Sequence, residues 1–480
     1  MIAIRHANCS RYPTLNRALR LPPRTATIAV SLALAVMAVL PSAVPGASPP
    51  NIVFILTDDQ RFDALGCLGN PVVRTPHIDA LASQGVLFTN AFCTTSICAI
   101  NRACLITGQW ERRHRIDDFN TPLSSEQFAA SFAGVLRQQG YRTGMVGKWG
   151  LGDPLPRDQY DVFEGYSGQG RYFPAGNDGL PGEHLTQKLG AKSLAFLDGC
   201  TSQQPFLLQL YTKAPHAADG AARPFPPDPR HESLYADAVI PVPATATEKH
   251  FRDLPVFLQN SEARTRWRVR FANAEMYQNT VKDYYRLVTG VDEVVGDVVA
   301  KLKEKGFAEN TVIIFSSDNG FYLGEHGLAG KWFMHEESIR VPLIVYDPRL
   351  PERGRGRRVA HMVLSIDVAP TIIELANAGV PSVMQGKSLI PLLNGQQPGG
   401  WRDDFFYEHR FAHPGIPKTE GVRNSRWKYT RYISIDPVYE ELFDLENDRH
   451  EEHNLAGDAR YTERFNKLRS RCDELARQCE

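Results

Sequence analysis

Residues 51–57, Asn51-Ile-Val-Phe-Ile-Leu-Thr57, form an unbroken apolar run that stops at Asp58-Asp59-Gln60. A short continuous run of this kind predicts a strand buried on both faces, whose carboxyl end here delivers two acids. Residues 143–149, 205–211, 311–317 and 341–346 are further strand candidates. Between these runs, apolar positions recur at helical spacing over 76–84, 126–139, 184–198, 280–305 and 367–378. Strands alternating with helices predict an α/β fold, a large mainly parallel sheet sandwiched by helices. In such sheets ligands bind off the carboxyl ends of the strands. Three polar clusters fall at those ends: Asp58-Asp59, His216 and Asp318-Asn319.

Residues 217–265 are rich in Pro, Ala and charge with weak periodicity, and read as an excursion from the sheet near the mouth of a site. Beyond residue 400 the pattern changes. Aromatic and β-branched stretches at 426–433 and 440–445 predict antiparallel strands, and 461–478 a terminal helix. The expected division is therefore a leader over 1–47, a large domain over 48–399, and a smaller C-terminal α+β subdomain over 400–480.

The leader has several Arg and no acid up to residue 26, an apolar run over 27–40, then small residues and Pro up to Ala47. That is the order of a secretory signal, so the mature protein is expected to be exported, periplasmic or extracellular. The run is short for a membrane span, and an uncleaved anchor is the rival reading. No second run of spanning length follows, so the mature form is expected to be free of the membrane.

At 480 residues the chain is too long for one hydrophobic core. Lys plus Arg (54) balance Asp plus Glu (54), so no global field favours nucleic acid, which is not an expected partner. Of eight Cys, Cys9 lies in the leader; the other seven are an odd number, leaving at least one unpaired or modified. No Cys-x-x-Cys pair suggests zinc.

Asp58, Asp59, Asp318 and Asn319 would offer four oxygen ligands from two strand ends, a set that suits Ca²⁺ or Mg²⁺. Each pair taken alone reads equally as a turn or cap. Cys98 is placed to open a helix, with Arg102 one turn on and facing the same side. A helix N-terminus and a guanidinium both favour an anion.

Here a resemblance becomes specific. Cys98-Ala-Ile-Asn-Arg102-Ala-Cys-Leu-Ile-Thr-Gly108, downstream of Asp58-Asp-Gln60, resembles the signature of the sulfatase family. Gly147-Lys-Trp-Gly-Leu-Gly152, Ala214-Pro-His216, Ser317-Asp-Asn-Gly320, Gly330-Lys331 with Glu336-Glu-Ser-Ile-Arg-Val-Pro342, and Glu441-Leu-Phe-Asp-Leu-Glu-Asn-Asp448 follow in the family's order. The likeness covers about residues 50 to 470 and implies an alkaline phosphatase-like fold and hydrolysis of a sulfate ester, on a sulfated carbohydrate or other small molecule. It implies that a separate maturation enzyme oxidises Cys98 to formylglycine. The hydrated aldehyde then attacks sulfur, the alcohol leaves, and the second hydroxyl collapses to expel sulfate.

Position by position, the resemblance makes Asp58, Asp59, Asp318 and Asn319, with modified Cys98, the ligands of Ca²⁺. Arg102 matches the group that holds the hydrated aldehyde, Lys148 and Lys331 the cations that bind sulfate, and His216 a general acid near the leaving oxygen. Three positions depart from the commonest pattern: Ile100 stands in place of Pro, Asn101 in place of Ser, and Gly150 in place of His. His326 and His335, flanking Lys331, are candidates to replace that His. Arg112-Arg-His-Arg115 is a candidate glycan contact, and His409, Arg410 and His413 are candidate substrate-binding residues. Two alternatives stand beside this reading. One is a phosphatase or phosphonate hydrolase of the same superfamily, against which Lys148 and Lys331 stand in for a second metal. The other is a catalytically inactive glycan-binding homologue, suggested by Ile100 and Gly150.

Overall fold

Asn51–Asp58 (β1) is buried at every position. Its side chains alternate between two cores: Ile52, Phe54 and Leu56 face one, Val53 and Ile55 the other. A strand with a packed layer on each face needs apolar residues throughout, which is why the run is continuous. The computed structural model describes residues 49–174 and 182–480, and residues 48–480 form one compact unit. The expected leader lies outside the described residues.

Seven more strands complete the sheet: Val86–Phe88 (β2), Arg142–Lys148 (β3), Val162–Tyr166 (β4), Phe206–Pro215 (β5), Thr311–Ser317 (β6), Leu343–Tyr346 (β7) and Arg357–Val359 (β8). The order is β8-β2-β7-β6-β1-β5-β3-β4. Strand β7 runs antiparallel to β6 and β2, while every other pairing is parallel. In register, Ile52 lies beside Leu207 and Val312. The helices Pro76–Gln84, Leu185–Asp198 and Ala274–Glu304 cover one face, through Ile78, Leu189 and Val291 among others. Cys98–Thr107, Phe132–Gln138 and Val368–Leu375 cover the other. The mainly parallel sandwich expected from the sequence is present.

Two helices differ from expectation. The helix expected over 126–139 is broken into Ser125–Ala129 and Phe132–Gln138, because Ser131 recaps the second with its hydroxyl accepting from Gly134 N at 3.2 Å. The long helix starts at Ala274 rather than 280, capped by Asn273. The excursion over 217–265 leaves the sheet as expected, in coil and short helices.

A second sheet is antiparallel: Asp404–His409 (β9), Thr419–Asn424 (β10), Trp427–Tyr432 (β11) and Tyr439–Asp444 (β12), in sequence order. The Thr462–Gln478 helix packs Leu468, Cys472 and Leu475 against Phe406, Val422, Tyr429 and Leu442. The sheet also leans on the segment that follows Lys331. Tyr407 donates to Trp332 O at 2.8 Å, and Lys428 to Met334 O at 2.7 Å. A Cβ on Gly421 would lie 2.5 Å from the backbone oxygen of Tyr429 and 2.3 Å from Met334 Sδ, so only glycine permits this approach. The seven described cysteines are free. Among the described residues, no helix is long and apolar enough to cross a membrane.

Candidate active site

Strands β6, β1, β5 and β3 are neighbours running the same way, so their carboxyl ends share one edge of the sheet. That edge carries Asp58 at the end of β1, Lys148 at the end of β3, His216 just past β5, and Asp318-Asn319 just past β6. All are at most 3% exposed. Sequence separations of up to 260 residues collapse here because parallel strands present equivalent ends together.

Adjacent residues on a strand face opposite ways, yet both acids of the first pair point into the site. Asp59 does so by turning into the left-handed region, at φ 63°. That conformation costs a non-glycine residue about 1–2 kcal/mol. Its partners hold it there: Asp59 N donates to Asp318 Oδ1 at 3.2 Å, and Tyr284 OH donates to Asp59 O at 2.8 Å. Asn319 Nδ2 donates to Asp59 Oδ1 at 2.6 Å, and Lys331 Nζ bonds the same oxygen.

Cys98 is the first residue of the Cys98–Thr107 helix, every residue of which is buried. Arg102, one turn on, is fully buried. Its Nε donates to Asp318 Oδ2 at 2.9 Å, its Nη1 to Lys148 O at 2.7 Å, and its Nη2 lies 3.4 Å from Asp58 Oδ2. The guanidinium thus ties three strand ends to the helix that carries Cys98. Lys148 Nζ bonds Asp58 Oδ2 and donates to Gln169 Oε1 at 2.6 Å. His216 Nε2 lies 3.6 Å from Asp59 Oδ2, and its Nδ1 donates to Ala217 O at 2.6 Å. That bond fixes the neutral ring as the Nδ1–H tautomer, with the lone pair at Nε2 facing the site. Ligand atoms of Asp58, Cys98 and His216 fall within 4.8 Å of one another, as do those of Asp58, Asp59 and Asp318.

The charges are unevenly relieved. Burial pushes Asp58 upward, but Lys148, His216 and Arg102 together hold its carboxyl far below the usual carboxylate range. Burial raises Asp59 against the pull of Lys331, and burial with the nearby Asp58 charge pushes Asp318 up to about 7. Burial also holds His216 well below its ordinary value. Three carboxylates thus face three cations, Arg102, Lys148 and Lys331, while His216 stays neutral, so the cluster is close to charge balance. Two buried oxygens, Asp58 Oδ1 and Asn319 Oδ1, have no hydrogen-bond partner. Buried oxygens are normally satisfied. Four hard oxygen donors with two left open fit a Ca²⁺ or Mg²⁺ ion.

The site thus assembles Asp58, Asp59, Cys98, Arg102, Lys148, His216, Asp318, Asn319 and Lys331. The three departures from the signature each have a place in it. Gly150 has φ 79°, and a Cβ there would lie 2.6 Å from Arg102 Cδ, so the guanidinium stem fills the space a side chain would need. Asn101 Nδ2 bonds Asp318 O, and its Oδ1 accepts from Ser365 Oγ at 2.8 Å. Ile100 is buried in a cluster with Leu258, Tyr322 and Phe333.

Other candidates fall elsewhere. His326 and His335 stack on each other with centroids 4.8 Å apart, and His335 Nδ1 lies 2.6 Å from Tyr322 OH. Burial holds both rings neutral, and neither bonds the charged cluster, so they do not replace a histidine at position 150. Arg112 is not free for a glycan, because it pairs with Glu408 at 2.8 Å and Glu420 at 2.9 Å. His409 is fully buried with neither ring nitrogen bonded, its pKa pushed down to about 3 by burial. Arg410 and His413 are exposed, and no contact joins any of these three to the charged cluster among the described residues.

The sequence reading missed Gln169, Tyr284 and Ser317. Ser317 Oγ accepts from Gln60 N at 2.9 Å and fixes the turn after Asp59. Ser317 sits inside a motif already singled out, so its signal was present. Gln169 and Tyr284 stand in no recognisable pattern.

Comparison with known proteins follows the same lines. A profile of the sulfatase family matches residues 50–378, and one of the N-sulphoglucosamine sulphohydrolase C-terminal region matches 324–478. An N-acetylglucosamine-6-O-sulfatase from Bacteroides thetaiotaomicron is 29% identical over 496 residues, covering 89% of this chain and 86% of that protein. An arylsulfatase from Clostridium perfringens is 26% identical over 463 residues, covering 88% and 93%. A solved structure in complex with its substrate D-glucosamine-2-N,6-O-disulfate superposes with a TM-score of 0.77 at 27% identity, covering 90% of this chain and 98% of the other. A phosphonate monoester hydrolase of Agrobacterium radiobacter shares the fold, with a TM-score of 0.74 at 24% identity and coverage of 90% and 96%.

Proposed function

Because this chain belongs to the sulfatase family of sulfuric ester hydrolases, we propose that it cleaves a sulfate ester on a sulfated carbohydrate, using a formylglycine made from Cys98 beside a bound calcium ion. The single observation that carries this reading is the unsatisfied oxygen pair, Asp58 Oδ1 and Asn319 Oδ1, within a buried acid cluster that also adjoins Cys98. Asp58, Asp59, Asp318 and Asn319 would hold the ion. The ion and the hydrated aldehyde would supply positive charge for the sulfate oxygens and an oxygen nucleophile at neutral pH.

The chain's own residues do the rest. Arg102 orients position 98, through bonds that already fix the guanidinium. An ammonium has three donors. Lys148 spends two, on Asp58 and Gln169, and Lys331 spends one, on Asp59. The remaining donors are available to sulfate oxygens, and point-charge lysines suit a tetrahedral oxyanion. His216 presents Nε2 as the atom that takes a proton and returns it to the leaving oxygen. Burial of the whole cluster excludes water and strengthens each of these interactions.

The names of relatives support a sulfated amino sugar or glycan as the substrate class. The leader pattern over 1–47 supports an exported enzyme, and the Cys98 signature requires a formylglycine-generating maturation enzyme as a partner. Turnover of 4-nitrophenyl sulfate against 4-nitrophenyl phosphate tests the reaction class. The proposal expects sulfate to be the faster substrate; faster phosphate cleavage would replace it with a phosphatase.

A further inference from the structure

We propose that the site contains a second anion subsite, centred on Lys213, which takes a carboxylate or a second sulfate carried by the sugar that bears the scissile sulfate or by its neighbour. The inference rests on the sulfatase reading above.

Lys213 lies in β5, three residues before His216, and is 2% exposed. A lysine held only for packing extends its ammonium to water or to a carboxylate. Lys213 does neither. Among the described residues no carboxylate pairs with it. Its ammonium donates to Ala217 O at 3.3 Å and stands over the Tyr172 ring, 5.1 Å from the centroid. Among the described residues, two of its three donors are unused. A buried charge without a counter-ion is costly, and such charges persist where a ligand completes them. Burial and the nearby Lys148 push its pKa down to about 8, the direction expected where negative charge is in short supply.

Lys213 lines a cavity of about 390 Å³ with Gln169, Arg171, Tyr172 and Asp219. Asp219 is the one acid among the described lining residues, and its two oxygens are taken by Arg266 at 2.8 Å and Arg270 at 2.6 Å. The net lining is positive, from Lys213 and Arg171. The cavity also adjoins the reacting groups. Gln169 accepts from Lys148, and Tyr172 OH donates to His216 O at 2.6 Å. An anion seated on Lys213 would thus belong to the molecule whose sulfate lies against Lys148.

The test compares kcat/KM for N-acetylglucosamine-6-sulfate, the 6-sulfated sugar with an N-sulfate in place of the acetyl group, and a disaccharide linking the N-acetylated 6-sulfated sugar to a uronate. Wild-type enzyme should prefer one doubly charged substrate over the singly charged sugar by about ten- to a hundredfold, the effect of one charged hydrogen-bond pair. Which of the two is preferred identifies the source of the anion. Lys213→Met should bring that ratio close to one, and Lys213→Arg should retain most of it. Damage to folding lowers all substrates alike and leaves the ratio intact, so an unchanged ratio in Lys213→Met overturns the inference. A wild-type ratio near one overturns it whether or not the variants fold. If that wild type still turns over 4-nitrophenyl sulfate, the subsite fails and the sulfatase reading stands; no turnover of any sulfate ester overturns both.

Discussion

Gly150 and Asp59 show how single backbone positions set the chemistry. Asp59 accepts a left-handed conformation so that two sequence neighbours face one site, and Gly150 accepts one so that Arg102 has room. Gly150→Ala should cost about 1–2 kcal/mol of stability through its φ alone. It should also lower kcat more than it raises KM, since the displaced group positions residue 98; melting and steady-state kinetics check both, and an unaffected kcat contradicts the role given to Arg102. A second residue makes a prediction far from the site. Glu441 is buried, and burial pushes its pKa from 4.5 up to about 8. The folded state holds that proton across the window while the unfolded chain has released it. The stability contributed by neutral Glu441 is therefore full below about 4.5 and lost as pH rises through about 8. The melting temperature should fall over that interval, and Glu441→Gln, which still accepts from Tyr432, should flatten the fall. An identical slope in the variant excludes Glu441 as its source.

Among the elements, what was legible in the sequence depended on how local the signal was. The β1 run and its acid end were readable because burial on both faces is a local property, and the Cys98 helix because its motif is contiguous in sequence. The short strands Val86–Phe88 and Arg357–Val359 were not, because three residues carry no period. The antiparallel direction of β7 was not readable either, since direction depends on the connection and not on the run itself. For the site, the motif order supplied nearly every charged group. Gln169 and Tyr284 escaped because their contacts join residues 21 and 225 positions apart with no motif around either. The same contrast applies to Asn101. In sequence it is only a departure from the signature, whereas in the fold it bolts the Cys98–Thr107 helix to Asp318 and Ser365. Asn101→Ala leaves a buried carbonyl and hydroxyl short of partners and should cost about 1–3 kcal/mol. Denaturant unfolding measures this, and a loss no larger than that of an exposed Asn→Ala control would refute the bolt.

Taken as one body, the molecule places three buried carboxylates and three buried cations at one sheet edge and closes them with a helix and a second sheet. A cluster that leaves Asp58 Oδ1 and Asn319 Oδ1 unsatisfied should be stabilised by the ion it binds through mass action. Exhaustive chelation should lower both the melting temperature and sulfate turnover, and Ca²⁺ should restore both. A melting temperature indifferent to chelator and calcium would contradict the assignment of the four oxygens. Catalysis by this route depends on what stands at position 98. Mass spectrometry of the peptide containing that residue, after expression with a formylglycine-generating enzyme, is the most direct test. Conversion should make the peptide lighter by the exchange of one sulfur for oxygen and the loss of two hydrogens, a product off the ordinary thiol oxidation ladder. A peptide that retains the plain thiol in enzyme that turns over sulfate esters would contradict it.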